Sequence, residues 1–255
     1  MDVKEELLLG EKIGEHWYYV SKGRAVLKFL GSIRPGSLID VGAGSGIFSR
    51  LLLDHGWRES VCVDPAYPEE YTDIHHGKPI RFVHAIENMR ADLVLMMDVC
   101  EHVDDDSGLI RHYASMVEDE TYFLITVPAF QFLFSGHDVF LEHRRRYTVS
   151  SLVRCVEGAG LEVINSSYFF ATVFPIALAQ RLIEKALVGL RVQQPKSGLR
   201  MHSHAVNRAL QYACSIELPI LPFNKAFGLS VFCLARKPRR KAPSAAPGIP
   251  TRTSA

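Results

Sequence analysis

The sequence predicts an α/β fold: a seven-stranded, mostly parallel, doubly wound sheet with a helical insertion before its last strand. Short apolar runs alternate with helical periodicity from residue 20 to residue 170, which is typical of a parallel sheet covered on both faces. Residues 91–97 form a near-continuous apolar run, as expected of a strand buried on both faces. A glycine-rich turn follows the first apolar run. The 255 residues, 47% of them hydrophobic, suffice for one well-buried domain with an insertion.

The predicted elements follow in order along the chain. Val26, Phe29, Leu30 and Ile33 recur at helix spacing and place a helix at 20–33. A stretch that contains two prolines and a glycine, 66–79, is predicted to be mostly loop. The predicted strands are residues 37–41, 60–64, 81–84, 91–97, 121–127, 162–170 and 229–235. The predicted helices are residues 3–13, 20–33, 47–55, 107–118, 148–157, 173–190 and 204–217.

One domain is expected over residues 1–236, with the helical insertion at about 171–227. Residues 237–255 are rich in Lys, Arg, Pro, Ser and Ala without apolar periodicity, and this composition predicts a disordered tail. The formal net charge of +1 gives no global field that would favour a nucleic-acid partner.

Cysteine usage and the apolar segments indicate a cytoplasmic protein. The five cysteines are scattered and form no Cys-x-x-Cys pair, so we expect a reducing compartment, no disulfide framework and no metal site. Residues 1–10 lack the basic start and apolar block of a secretory signal. The longest apolar stretch, 168–179, is interrupted by Pro175 and is shorter than the ~20 residues that span a bilayer.

The glycine turn at residues 42–46 is the strongest functional signal. A glycine turn between a strand and a helix lets backbone approach a ligand closely, and Asp64 ends the next strand at the same edge of the sheet. A dinucleotide motif would have glycine where Ile47 stands. Asp40 would also repel a pyrophosphate but attract a ligand with an ammonium group. The residues therefore disfavour an NAD-linked oxidoreductase.

Residues 39–46, Ile-Asp-Val-Gly-Ala-Gly-Ser-Gly, resemble motif I of class I S-adenosylmethionine (SAM)-dependent methyltransferases. Residues 61–64 and 92–103 are similar to that family's next motifs, and the resemblance runs in order over about residues 15–170. It implies a Rossmann-like sheet whose last strand is antiparallel, with SAM as cofactor and S-adenosylhomocysteine as product. A SAM-binding partner protein without turnover is the alternative. The residues implied to hold the cofactor are Asp40, Gly42, Ala43, Gly44, Gly46, Asp64, Pro65, Ala85, Ile86, Asp98 and Val99.

Three histidines are candidates for the base that some methyl acceptors need. His102 follows the fourth predicted strand and can serve as this base or pack beneath the cofactor. His137 and His143 lie in the unusually long loop 128–147, which holds three arginines, and such loops are often functional. This loop resembles that of a bacterial methyltransferase subgroup associated with tailoring of glycans, lipids and natural products.

Acceptor contacts are expected from that loop and from the aromatic N-terminal segment, at Trp17, Tyr18, Asp138, Arg145 and Tyr147. The charged loop residues form either an acceptor clamp or an ion-pair knot, and the two interpretations are compatible. The aromatic residues either close over the ligands or pack on the sheet. The insertion at 171–227 provides core, a lid for an apolar acceptor, or peripheral membrane contact. We expect methyl transfer to a small-molecule or lipid-like acceptor, with oxygen favoured over nitrogen and carbon. The oligomeric state stays open.

Overall fold

Apolar segments from both halves of the chain form one eight-stranded sheet in the computed structural model, which describes residues 10–31, 33, 36–189 and 201–239. The strands are β1 (Ser37–Val41), β2 (Glu59–Val63), β3 (Tyr71–His75), β4 (Lys78–Val83), β5 (Leu93–Met97), β6 (Tyr122–Pro128), β7 (Glu162–Phe169) and β8 (Ser230–Arg236). Their order across the sheet is β3-β4-β2-β1-β5-β6-β8-β7. Strand β8 is antiparallel to both of its neighbours, as predicted for the last strand.

The predicted strand count of seven was one too low, because β3 lies in the stretch that we expected to be mostly loop. It pairs antiparallel with β4 through a tight turn in which His76 and Gly77 have φ values of 50° and 80°. Two positive φ values in succession are what a two-residue hairpin turn requires. Because β3 is a largely exposed edge strand, it lacks the apolar pattern that revealed the other strands.

Seven α-helices are present in the described part of the chain: α1 (Trp17–Leu30), α2 (Ile47–Asp54), α3 (Asp106–Met116), α4 (Gly136–Phe140), α5 (Val149–Gly158), α6 (Phe174–Gly189) and α7 (His204–Glu217). Helix α1 begins three residues earlier than predicted, because the side chain of His16 caps it by accepting from the Tyr18 amide. A 3-10 helix, Gly10–Glu15, stands at the end of the helix predicted for 3–13. Residues 3–9, residue 190 and the tail from 240 lie outside the described residues.

Two hydrophobic layers cover the sheet. Alternate residues of a strand point to opposite faces, so Leu38 and Leu95 pack in a layer with α1 and α2, whereas Ile39 and Val94 pack in a layer with α3 and α5. Every residue of β5 is buried, which confirms a strand covered on both faces.

The helical insertion docks on α1. Asn207 of α7 accepts a hydrogen bond from the Trp17 amide at 2.7 Å and donates to the Glu15 carbonyl at 2.8 Å. Glu217, at the end of α7, accepts from the Ala171 amide at 2.7 Å. None of the described helices combines the length and the apolar composition needed to cross a bilayer.

Candidate active site

The glycine turn lies at the carboxyl end of β1 and is too tightly packed for side chains. Gly42, Gly44 and Gly46 all have positive φ values, of 62°, 53° and 72°. A Cβ on Gly42 would lie 2.8 Å from a methyl carbon of Val99, and one on Gly46 would lie 3.1 Å from the Cys62 sulfur. Because other residues rarely adopt this conformation, glycine is required here. Backbone is thus presented at the edge of the sheet where ligands bind in open α/β folds.

Asp40 is buried below this turn in a polar network. Its carboxylate accepts a hydrogen bond from the Ser49 hydroxyl at 2.8 Å, and that hydroxyl accepts from Ser60 Oγ at 2.8 Å and from Cys62 Sγ at 3.3 Å. Burial raises the pKa of Asp40 to about 6, although the bond from Ser49 lowers it. The negative charge is therefore costly, and a cationic ligand would offset that cost.

Asp64 follows β2 directly, beside the glycine turn. It is largely buried, and one carboxylate oxygen accepts from the Ala66 amide at 2.9 Å. Tyr67 donates a hydrogen bond to the Gly44 carbonyl at 2.7 Å and so ties this segment to the glycine turn. Tyr67 was not among the residues predicted from the sequence, although an aromatic residue three positions after the acid was a signal.

The remaining predicted donor residues flank this edge. Pro65 and Ala85 are exposed and Ile86 is half-buried. Ala43 is buried in the layer that contains α1 and α2, and Val99 packs against Gly42. These positions line the carboxyl ends of β1, β2, β4 and β5.

Asp98, which follows β5, forms an ion pair with the fully buried Lys22 of α1. It also accepts hydrogen bonds from the Tyr18 hydroxyl at 3.2 Å and from Thr126 Oγ1 at 3.1 Å. Burial raises the pKa of Asp98, but the charge and hydrogen bond of Lys22 outweigh that effect and hold the pKa below its usual value. Lys22 was not among the residues predicted from the sequence, because a lysine on a helix is usually exposed.

The aromatic N-terminal residues lie next to this ion pair. Tyr18 stacks on Phe170 with ring centroids 5.0 Å apart, and Trp17 meets Phe170 edge-on at 5.8 Å. Both side chains are half-buried. The two rings connect α1 to Phe170 at the end of β7. These contacts fit the interpretation in which the aromatic residues pack on the sheet.

A carboxyl group and two imidazoles meet just beyond Asp98. Glu101 is fully buried, and neither of its carboxylate oxygens has a hydrogen-bond partner among the described residues. Burial and the nearby charge of Asp98 raise the pKa of Glu101 well above its ordinary value. The rings of His102 and His143 are nearly perpendicular, with centroids 4.8 Å apart. One potential ligand atom from each of Glu101, His102 and His143 lies within 4.8 Å of the others.

Asp138, which is fully buried on α4, orients His143. It accepts from His143 Nδ1 at 2.9 Å, from Arg146 Nε at 2.7 Å and from the Ser135 amide at 2.8 Å. Burial raises the pKa of Asp138, but the bonds from His143 and Arg146 prevail and hold it far below its usual value. An ionised carboxylate only accepts, so Nδ1 of His143 carries a proton and the lone pair of the neutral ring is on Nε2.

His137, the neighbouring residue, has different surroundings. Burial and the charge of Arg181 lower the pKa of His137 to about 3. It is neutral at ordinary pH, and so low a pKa makes it a weak base.

The arginines of the loop form ion pairs, as in the knot considered from the sequence: Arg144 with Asp104 at 2.8 Å, Arg145 with Asp106 at 3.4 Å and Arg146 with Asp138 at 2.7 Å. Arg144 donates from its amide to the Glu101 carbonyl and from Nε to the His102 carbonyl, both at 2.8 Å. Arg145 donates to the Asp104 carbonyl at 2.8 Å. Tyr147, which is buried, donates to the Asp106 carboxylate at 2.7 Å. Arg145 and Tyr147 thus bind the protein itself, in a knot that fixes the loop beside Glu101 and His102.

The comparison with protein families identifies the family of this chain. The sequence model of a family described as "Methyltransferase domain" matches residues 15–166, more than half of the chain. The chain belongs to this methyltransferase family. With the ordered motifs at the carboxyl ends of β1, β2 and β5, it is a SAM-dependent methyltransferase, as the sequence predicted. No curated protein sequence matches it.

Solved structures support the same fold at low sequence identity. A chain from the complex of the Haloferax volcanii Trm112 methyltransferase activator with its methyltransferase partner is 15% identical, with 91% of this chain and 93% of that chain covered and a TM-score of 0.55. A phosphoethanolamine N-methyltransferase from Haemonchus contortus is also 15% identical, with coverages of 92% and 56% and a TM-score of 0.52. The plantazolicin methyltransferase BamL is 10% identical, with coverages of 93% and 90% and a TM-score of 0.51.

Proposed function

We propose that this methyltransferase transfers the methyl group of SAM to a hydroxyl oxygen of a small-molecule or lipid-like acceptor, at a site beside Glu101, His102 and His143. The observation that carries the proposal is the fixed His143, whose Nδ1 is held at 2.9 Å by the buried Asp138. This arrangement leaves a lone pair on Nε2, which an acceptor that must lose a proton requires.

The donor site is proposed to lie along the glycine turn. Backbone at Gly42 and Gly44 approaches the methionine part of SAM, and the buried charge of Asp40 favours its ammonium group. Asp64 is proposed to hold the ribose hydroxyls. The further proposed donor contacts are Ala43, Gly46, Pro65, Ala85, Ile86, Asp98 and Val99.

The transfer step is a displacement at the methyl carbon. The acceptor oxygen forms a bond to that carbon, the carbon–sulfur bond breaks, and the electron pair stays on sulfur to give S-adenosylhomocysteine. The hydroxyl proton must leave, and the lone pair of His143 Nε2 serves its removal. Of the other candidates, His137 is a poorer base because its pKa is about 3.

Exposed apolar side chains on the insertion and on the active-site loop favour a lipid-like acceptor and peripheral membrane contact. On the insertion, Ile176, Leu182 and Ile183 of α6 and Phe223 are 59%, 60%, 60% and 78% exposed. Phe132 of the active-site loop is 54% exposed. Such side chains either contact an acyl chain or enter a membrane surface. Trp17 and Tyr18 are proposed to border the acceptor directly. Asp138, Arg145 and Tyr147 are proposed to contribute to acceptor binding by holding the loop in place.

Deuterated SAM tests the proposal. The enzyme is incubated with trideuteromethyl-SAM and lipid and metabolite extracts, and labelled products are identified by mass spectrometry. His143→Gln should lower turnover about 100-fold while SAM affinity is unchanged, because the lone pair at that position is lost. His137→Gln, a matched control in the same loop, should keep turnover within a few-fold. Full turnover by His143→Gln would contradict the role of His143, and a label on nitrogen or carbon would exclude O-methylation.

A further inference from the structure

The three side chains Glu101, His102 and His143 are held together by the backbone as well as by packing. The Arg144 amide donates to the Glu101 carbonyl and the Arg144 guanidinium donates to the His102 carbonyl, both at 2.8 Å. The residue that follows His143 is thus bonded to both other members of the cluster. Their positions are therefore fixed in advance, which is a requirement for a site that binds a small ligand with defined geometry.

Two buried carboxylates next to the cluster are paired with cations, whereas the carboxyl group of Glu101 is not. Asp98 is paired with Lys22, and Asp138 is paired with Arg146. Glu101 forms no ion pair and no hydrogen bond through its carboxylate among the described residues, although it is fully buried. A buried, unpartnered carboxyl group is expensive, and native proteins retain one where a ligand or ion completes it.

The orientation of His143 is that of a metal ligand. Its Nδ1 is bonded to the Asp138 carboxylate at 2.9 Å, so Nε2 is the atom that can face a ligand. Histidines that bind metal ions almost always donate their other ring N–H to a carboxylate or carbonyl in this way. Arg146, which donates to both oxygens of Asp138 at 2.7 and 3.0 Å, keeps this carboxylate in place.

We propose that Glu101, His102 and His143 bind one divalent transition-metal cation. Their ligand atoms lie within 4.8 Å of one another. Three ligand atoms about 2.1 Å from a common cation are about 3–4 Å apart, so side-chain shifts of about 1 Å complete the site. Two imidazole nitrogens and one carboxylate oxygen suit zinc, iron(II) or manganese, and leave positions for further ligands.

The cation gives the acceptor hydroxyl its reactivity, an inference that rests on the proposed function. A hydroxyl oxygen bound at an open position of the cation becomes more acidic and releases its proton to solvent. The oxygen anion attacks the methyl carbon of SAM, the carbon–sulfur bond breaks, and the pair stays on sulfur. When the cation is bound it occupies the Nε2 lone pair, so the proton leaves to solvent, and His143 contributes to proton removal by holding the cation.

Metal binding is tested by calorimetry, independently of turnover. The purified full chain is treated with EDTA, dialysed and titrated with Zn²⁺. Wild type should bind one equivalent tightly. Glu101→Gln, which keeps the shape of the side chain, and His102→Gln should each weaken that binding at least 100-fold. Thermal unfolding in EDTA shows whether each variant is folded, and Zn²⁺ should raise the melting temperature of wild type far more than that of either variant.

The exposed cluster Asp54, His75 and His76 supplies a matched control. It has the same ligand types, but His75 already contacts Asp54 at 2.8 Å and the group lies on the surface. The double variant His75→Ala, His76→Ala should retain the tight equivalent of Zn²⁺. Loss of that equivalent in the double variant, or its survival in folded Glu101→Gln, would overturn the proposal.

Turnover separates the metal site from the proposed function. EDTA should abolish methyl transfer, and Mn²⁺ or Zn²⁺ should restore it. Full turnover in EDTA would overturn the role of the cation while the methyl transfer itself stands. If no methyl acceptor is found, the proposed function fails, and the calorimetric result still decides whether the cation binds.

Discussion

Replacement of Asp40 by Asn tests the buried carboxylate beneath the glycine turn. Burial raises the pKa of this carboxyl from 3.8 to about 6. One pKa unit corresponds to about 1.4 kcal/mol, so ionisation of Asp40 costs the folded protein about 3 kcal/mol at pH 7. The folded state binds the proton more tightly than the unfolded state. This group therefore lowers stability progressively as pH rises from about 4 to about 6.

Asn cannot ionise, so Asp40→Asn should remove this pH dependence. The amide hydrogens of the new Asn side chain change the free energy of unfolding by an amount that does not vary with pH. The diagnostic quantity is therefore the slope of the unfolding free energy against pH. Relative to wild type, the free energy of unfolding of the variant should rise by about 1.4 kcal/mol between pH 5 and pH 7. The affinity for S-adenosylhomocysteine should fall at least tenfold, about 1.4 kcal/mol, because the ligand's ammonium group loses its counter-charge.

Urea unfolding of both proteins without ligand at pH 5, 6 and 7 measures the first effect, and calorimetric titration measures the second. Between pH 7 and pH 5, nearly half of the pH-dependent difference in unfolding free energy between the two proteins should disappear, which serves as the internal control. A constant difference in unfolding free energy across this pH range would refute the reasoning.

Three further substitutions test other parts of the site. Gly42→Ala should weaken S-adenosylhomocysteine binding at least tenfold in calorimetry, because the new methyl group meets a valine side chain at 2.8 Å in a backbone conformation that disfavours alanine. Lys22→Met should lower the free energy of unfolding by about 3 kcal/mol in urea, because it leaves Asp98 without its cation. Asp138→Asn should lower kcat about 100-fold with little change in the KM for SAM, because it removes the carboxylate that orients His143. An unchanged value in any of these measurements would contradict the corresponding contact.

The centre of the fold was predictable from sequence because buried parallel strands carry a local signal. Strand β5 is apolar throughout, and Gly42 and Gly46 in the turn after β1 have no room for a Cβ atom. Strand β3 carries no such signal, since an exposed edge strand does not need apolar residues. Its hairpin turn, with His76 and Gly77 at positive φ, has too weak a sequence pattern to predict a hairpin in a stretch that contains prolines.

The proposed SAM contacts have a stronger local signal in the sequence than the proposed acceptor contacts. The residues proposed to hold SAM belong to a few local motifs at strand ends. The ion pair between Lys22 and Asp98 and the cluster of Glu101 with His143 join segments that are distant in the chain. Nothing local in the sequence shows that Lys22 is buried or that the Glu101 carboxyl group has no hydrogen-bond partner in the described part of the chain. The expectation of no metal site was based on cysteine ligands alone and did not take histidine and carboxylate ligands into account.

Titration with S-adenosylhomocysteine and with NAD in one calorimetric experiment tests the central claim most directly. The account predicts one equivalent of S-adenosylhomocysteine per chain and no heat with NAD, since Asp40 and Ile47 disfavour a pyrophosphate at the glycine turn. Binding of NAD with displacement of S-adenosylhomocysteine, or binding of neither ligand, would contradict it.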